Sequence, residues 1–131
     1  MQYLLDSDVI IDFLQGKDPG YSLVGKILDR HLDISVMTWI EILYGIKKGY
    51  QSGKKLNQFI GFLEDSSIKI IPVSPEIGSY FVDLKLKLEK KGEILADFDL
   101  LIASTSKVYK LTLVTRNKKH FDHIPNLKVI T

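Results

Sequence analysis

The stretch YLLDSDVII, residues 3–11, changes from one kind of local structure to another within a few positions. Tyr3 to Leu5 is a short apolar run typical of a buried strand, and Val9 to Leu14 predicts one or two helical turns. Asp6 lies where the strand ends. The carboxyl ends of parallel strands form the ligand-binding edge of an open α/β sheet. The stretch therefore predicts a parallel sheet with an acidic side chain at that edge.

Three other side chains occupy similar transitions. Glu41 follows the strand-like run Leu32 to Met37, Asn117 follows Leu111 to Thr115, and Asp99 opens a helix-like run. We expect all three to converge with the acid at the end of the first strand. Carboxylates that lie close together raise one another's pKa, and a hard divalent cation such as Mg2+ relieves that repulsion. The pattern thus predicts metal-dependent chemistry on phosphate.

Apolar periodicity and turn residues predict the remaining elements. The predicted strands are Tyr3–Leu5, Asp33–Met37, Ile68–Val73, Leu111–Thr115 and Leu127–Thr131. The predicted helices are Val9–Leu14, Tyr21–His31, one beginning near Thr38, Lys54–Glu64, Pro75–Lys91 and Leu95–Tyr109, with a short turn or helix at Lys118–His123. Strands that alternate with helices indicate an α/β sandwich with a parallel sheet, here a single domain over residues 1–131.

Several of the acids also have a purely structural interpretation. Asp8 is predicted to cap the first helix or to support the site from behind. Thr38 is a plausible N-cap, and Glu41 three residues later has the spacing of a capping box. Asp97 is the expected cap of the helix that carries Asp99, since acids are favoured in a first helical turn.

Composition narrows the class of protein. The chain has 131 residues, of which 45% are hydrophobic, enough for one sizeable core. It has no cysteine, which excludes disulfides and thiolate metal sites. No stretch approaches the roughly 20 apolar residues of a membrane span. The start, Met1 to Asp6, lacks the basic region of a signal peptide, so a cytoplasmic location is expected.

The net charge of only +2 is too small for a protein that coats nucleic acid by electrostatics alone. The lysines are nevertheless clustered, for example at Lys47–Lys48 and Arg116–Lys119. An acidic pocket ringed by such residues suits a polyanion that approaches bound cations. Thr115, Arg116 or nearby lysines are predicted to position a phosphate backbone. Tyr44, Tyr50 and Phe59 are candidates for an exposed interface.

Four motifs, in order and in register over nearly the whole chain, resemble those of the PIN domain family and especially its VapC toxins. They are Leu4–Ile11, Thr38–Gly45, Asp97–Ser104, and Leu113–Asn117 followed by His120–Phe121. The resemblance implies a three-layer sandwich around a mostly parallel sheet of about five strands. It also implies an Mg2+- or Mn2+-dependent endoribonuclease that forms a homodimer and is inhibited by a VapB-like antitoxin.

The resemblance also implies roles for individual residues. Asp6, Glu41 and Asp99 are expected to be catalytic and to bind the metal, with Asn117 as a further ligand. Two positions depart from the family pattern, which often has Asn at position 8 and Asp at position 117. Asn at 117 lowers the negative charge by one.

Three other functions remain open from the residues alone. A non-catalytic PIN-fold binding module would keep the fold, although it has no need of clustered carboxylates. A haloacid dehalogenase-like phosphatase would use the Asp-x-Asp at Asp6 and Asp8 with a covalent nucleophile. Its late acidic pair is expected at a strand end, whereas Asp97 and Asp99 open a helix. A receiver-like signalling domain lacks the expected acid after Ile68 to Val73.

Overall fold

The computed structural model describes residues 2–131 and shows five strands that pair into one sheet. In chain order the elements are β1 (Gln2–Leu5), α1 (Ser7–Gln15), α2 (Gly20–Gly25), β2 (His31–Ser35), α3 (Val36–Lys48), α4 (Ser52–Asp65), β3 (Lys69–Ile71), α5 (Pro75–Lys90), α6 (Asp97–Val108), β4 (Thr112–Val114), a short 3-10 helix (Lys118–Phe121) and β5 (Val129–Ile130). The predicted strand number is confirmed.

The spatial order of the strands is β3-β2-β1-β4-β5, and every pair is parallel. The chain first moves outward from β1 to β3 and then resumes on the other side of β1 with β4. Such a reversal leaves a crevice at the carboxyl ends of the two central strands, which is where open α/β sheets bind ligands. The candidate site therefore lies at the carboxyl ends of β1 and β4.

Helices cover both faces of the sheet, so the molecule has three layers. Leu5 faces a buried cluster built with α1 to α4, whose members include Ile10, Ile42 and Phe59. Its neighbour Leu4 faces the opposite cluster, which is built with α5 and α6. Successive residues of a strand point to opposite faces, and Leu4 and Leu5 are both fully buried. The predicted α/β sandwich is confirmed.

Several predicted boundaries were wrong, and the second strand is the instructive case. It was expected at residues 33–37 with Thr38 as a helix cap, but β2 ends at Ser35 and α3 starts at Val36. The Ser35 hydroxyl accepts a hydrogen bond from Met37 N at 3.1 Å and caps the helix. Thr38 is instead a fully buried residue within the first turn. The capping box with Glu41 therefore does not form.

The other differences concern length. The helix predicted over residues 21–31 ends at Gly25, and turns lead from there to β2. Both β3 and β5 are shorter than predicted, with Pro72 directly after β3. Within residues 2–131 we find no helix that combines the length and apolar character needed to cross a bilayer.

Candidate metal site at the sheet switch point

Asp6 leaves β1 with its backbone still tied to the neighbouring strand, because its N–H donates to Val114 O at 2.9 Å. Its backbone is extended, and its Oδ1 accepts a hydrogen bond from Ser7 N at 2.8 Å, so Asp6 is the N-cap of α1. We had expected Asp8 as a possible cap. The extended conformation that a cap requires occurs at the strand exit, one position before the helix.

Thr115 follows β4 and joins the first two acids. Its fully buried hydroxyl lies 2.9 Å from Asp6 Oδ2 and 3.2 Å from Asp8 Oδ2, and it accepts a hydrogen bond from Asn117 N at 3.1 Å. The single hydroxyl proton is thus shared between two carboxylates. Of the residues predicted to position a phosphate backbone, Thr115 is buried and its hydroxyl contacts the acids, which leaves Arg116 and the nearby lysines for that role.

Asp8 anchors the loop that follows β4. Its Oδ2 accepts hydrogen bonds from Arg116 N at 3.1 Å and from Asn117 Nδ2 at 3.2 Å. Its Oδ1 is buried and has no hydrogen-bond partner among residues 2–131. Asn117 therefore lies at the acidic site as predicted, with its amide directed at Asp8.

Glu41 and Asp99 approach the same place from α3 and α6. Glu41 Oε1 accepts a hydrogen bond from Ser7 Oγ at 3.3 Å, which links α3 to the start of α1. Asp99 lies in the first turn of α6, with Oδ2 3.6 Å from His120 Nδ1. Asp97, the expected cap of α6, is not the cap, because Ala96 occupies that position. Asp97 pairs with Lys85 instead, at 2.9 Å.

The electrostatics show that four carboxylates share one environment. Burial, followed by the charges of Asp8 and Glu41, raises the pKa of Asp6 to about 7. Burial, followed by the charges of Asp99 and Asp8, raises the pKa of Glu41. Burial also raises the pKa of Asp99; the nearby His120 opposes that shift and Asp8 adds to it. Such mutual repulsion is the condition that a bound cation relieves.

The donor set fits a hard divalent cation. It consists of carboxylate oxygens with an adjacent amide, and Asp8 Oδ1 is a buried oxygen without a protein donor. As they stand, no three acidic or histidine side chains within residues 2–131 are close enough to hold an ion. Hydrogen bonds from Ser7 and Thr115 hold the carboxylates in their present orientations.

Asp12 is a site residue that the sequence did not single out. It is buried one helical turn beyond Asp8, and its Oδ1 lies 3.4 Å from Arg116 Nη1. Its Oδ2 accepts a hydrogen bond from Gly20 N at 3.0 Å. A Cβ at Gly20 would lie 2.4 Å from Asp12 Cβ, so only glycine fits there. The spacing of four from Asp8 was the available signal, since it places both acids on one helix face.

Replacing Thr115 with valine is expected to lower the free energy of unfolding by about 1–3 kcal/mol, because it leaves the buried Asp6 Oδ2 without its donor. Urea denaturation at pH 8 in EDTA measures this. Thr112→Val, which makes the same change at the start of β4, is the matched control. A Thr115→Val protein as stable as that control would show that the hydroxyl does not stabilise the acids.

A parallel three-layer sandwich that gathers acidic side chains at its switch point defines a class of α/β proteins with a cation-binding edge. The chain belongs to the PIN domain family, whose family model matches residues 3–127. Membership of that family implies dependence on a divalent metal.

Individual relatives extend over nearly the full length of the chain. Ribonuclease VapC2 of Rickettsia felis is 34% identical, covering 97% of this chain and 95% of the relative. The tRNA(fMet)-specific endonuclease VapC of Salmonella typhimurium is 22% identical, covering 98% and 96%. Among solved structures, VapBC2 from Rickettsia felis bound to a DNA fragment from its promoter matches with a TM-score of 0.87 and 31% identity, covering 99% of this chain and 98% of that one.

Proposed function

We propose that this protein is an Mg2+-dependent endoribonuclease and the toxin of a VapBC-type toxin–antitoxin pair. The observation that carries the proposal is the convergence of Asp6, Asp8, Glu41 and Asp99 at the switch point of a PIN-family sheet, with raised pKa values for all four carboxyl groups. VapC relatives that span the same length are ribonucleases by name, which supports the same reaction here.

Asp6, Glu41 and Asp99 would hold the cation, with Asn117 beside them. A bound divalent ion lowers the pKa of a coordinated water and neutralises charge on a phosphodiester. The chain's own residues prepare that chemistry. Ser7 holds Glu41, Thr115 holds Asp6, and Asp6 must lose a proton whose pKa is about 7 before its carboxylate is fully available.

The rim of the site suits a polyanionic substrate. Arg116 lies beside the carboxylates, with its guanidinium held by the buried Asp12, and Lys118 and Lys119 follow in the next turn and are exposed. Cations around an acidic pocket attract a phosphate backbone, while the pocket itself repels it unless a metal is bound. We propose RNA as the substrate, consistent with the ribonuclease names of the relatives.

The partner is proposed to be a VapB-like antitoxin, because the matching Rickettsia felis structure is a VapBC2 complex. Tyr44 and Tyr50 are 66% and 89% exposed and are candidates for that interface or for a homodimer face. The third candidate, Phe59, was predicted wrongly: it is fully buried and stacks on Trp39. A cytoplasmic location is proposed, as expected for a nuclease that acts on cellular RNA.

The test is incubation of purified, antitoxin-free protein with total cellular RNA and with initiator tRNA, the substrate class in the name of the Salmonella typhimurium relative. We expect discrete fragments with Mg2+ and none with EDTA. Addition of excess Mg2+ to the EDTA sample is expected to restore cleavage. Mn2+ is expected to substitute. If folded protein that binds the metal leaves the RNA intact in every lane, the proposed nuclease activity is contradicted. Cleavage that persists in EDTA would contradict the proposed metal dependence.

A further inference from the structure

One carboxylate oxygen of Asp8 accepts several hydrogen bonds, and the other accepts none. Oδ2 receives the Arg116 backbone N–H, the Asn117 amide and a share of the Thr115 hydroxyl proton. Oδ1 is buried and receives nothing from residues 2–131. An unpaired buried carboxylate oxygen is costly, and a native structure that retains one has a reason for it.

The neighbours of Asp8 compensate its charge only in part. Its three hydrogen-bond donors are neutral groups, and the nearest cation, Arg116 Nε, is 4.0 Å from Oδ2 with its guanidinium directed at Asp12. Burial outweighs the charge of Arg116 and raises the pKa of Asp8. The negative charge of Asp8 also acts on the other acids. It raises the pKa of Asp6, Glu41 and Asp99, so that Asp8 lies within electrostatic reach of all three.

We propose that Asp8 is a direct ligand of the divalent cation through Oδ1, and that it supplies the fourth carboxylate of the site. Asn117 then acts as a positioning residue, since its Nδ2 donates to Oδ2 and leaves Oδ1 without a donor. This assignment rests on the proposed metal site. It differs from the role expected from the sequence, in which Asp8 capped a helix or supported the site from behind.

A purely structural role for Asp8 predicts a different behaviour. If Asp8 only anchors the loop after β4, asparagine at that position keeps an oxygen that accepts the Arg116 N–H, and metal affinity is retained. If Asp8 is a ligand, asparagine removes a negative charge from the ion's coordination shell. In the metal-free protein the same substitution relieves repulsion, so its melting temperature in EDTA is expected to equal or exceed that of the wild type.

The experiment is a Mn2+ titration followed by electron paramagnetic resonance of the free ion, together with thermal unfolding in EDTA and in Mn2+. It compares wild type, Asp8→Asn, Asp99→Asn and Asp97→Asn. Asp97 is exposed and paired with Lys85, which makes it a control outside the site. We expect Asp8→Asn to bind Mn2+ at least about tenfold more weakly than wild type. Replacing even a residue that only supports a metal ligand typically weakens metal binding by that much. Its Mn2+-induced rise in melting temperature should shrink accordingly.

The outcomes separate this inference from the proposed function. Wild-type affinity in Asp8→Asn together with loss of binding in Asp99→Asn overturns the role of Asp8 and leaves the metal site standing. Absence of Mn2+ binding by the folded wild type overturns both. A lower melting temperature of Asp8→Asn in EDTA with unchanged Mn2+ affinity identifies Asp8 as a loop anchor only and also overturns the inference.

Discussion

Asp99→Asn is expected to reduce metal-dependent RNA cleavage by about a thousandfold or more. The substitution removes a carboxylate from the centre of the proposed metal site, and the charge stabilisation supplied by such an ion is worth several kcal/mol in the transition state. Initial cleavage rates on a mapped RNA substrate, at saturating Mg2+, measure the loss. Because asparagine has nearly the same shape, the change tests charge rather than packing.

The fold should survive this substitution. Asp99 lies in the first turn of α6, and its side chain is 22% exposed with His120 as its near neighbour. Removing one of several repelling carboxylates is expected to leave the melting temperature in EDTA unchanged or higher. Asp97→Asn makes the same chemical change two residues earlier, at an exposed ion pair, and should keep full activity. Comparable cleavage by both variants would remove Asp99 from the mechanism.

The second large effect is the pH dependence of the metal-free protein. The pKa of Asp6 is raised from its ordinary value of 3.8 to about 7, and those of Asp8, Glu41 and Asp99 are also raised. Between pH values of about 4 and about 7, the folded state retains a proton on Asp6 that the unfolded chain has lost. Stability in EDTA is therefore expected to fall as pH rises from about 4 to about 7 and then to level off.

Metal binding should show the opposite trend, because the ion competes with that proton. Displacing one proton with a pKa near 7 predicts about a tenfold rise in apparent Mn2+ affinity between pH 6 and pH 8. Urea denaturation in EDTA and Mn2+ titration across the pH series measure the two trends. Asp6→Asn is expected to flatten the stability profile. A wild-type protein whose stability in EDTA rises from pH 5 to pH 8 would contradict the raised pKa.

Much of the fold could be predicted from local pattern. The apolar run Tyr3 to Leu5 followed by Asp6 identified the first strand and its exit, and alternating strands and helices identified the parallel sheet. Boundaries were less accurate where two local signals competed. Thr38 has the residue type of a cap and the spacing of a capping box with Glu41. The helix nevertheless begins three residues earlier, with Ser35 at the end of β2 as its N-cap.

The sequence predicted which residues belong to the candidate site better than it predicted how they are arranged. Asp6, Glu41, Asp99 and Asn117 were named because each occupies a transition between elements, and their roles as ligands remain a prediction. Asp8 was predicted to cap a helix or to support the site, and Asp12 was not singled out. Their contacts with Arg116 cross more than 100 residues of chain, and no local pattern encodes a contact of that separation.

The sequence by itself determined the type and order of the strands and helices and which acids lie at their junctions, because hydrophobic periodicity and turn chemistry act over a few neighbouring positions. Only the tertiary structure decided that β4 pairs with β1 and so brings Thr115 between Asp6 and Asp8. Burial and the neighbouring acids raise the pKa values of the site, and Thr115 opposes the shift for Asp6 and Asp8. Burial and like charge depend on distance in space, which the strand order sets and the order of residues along the chain does not.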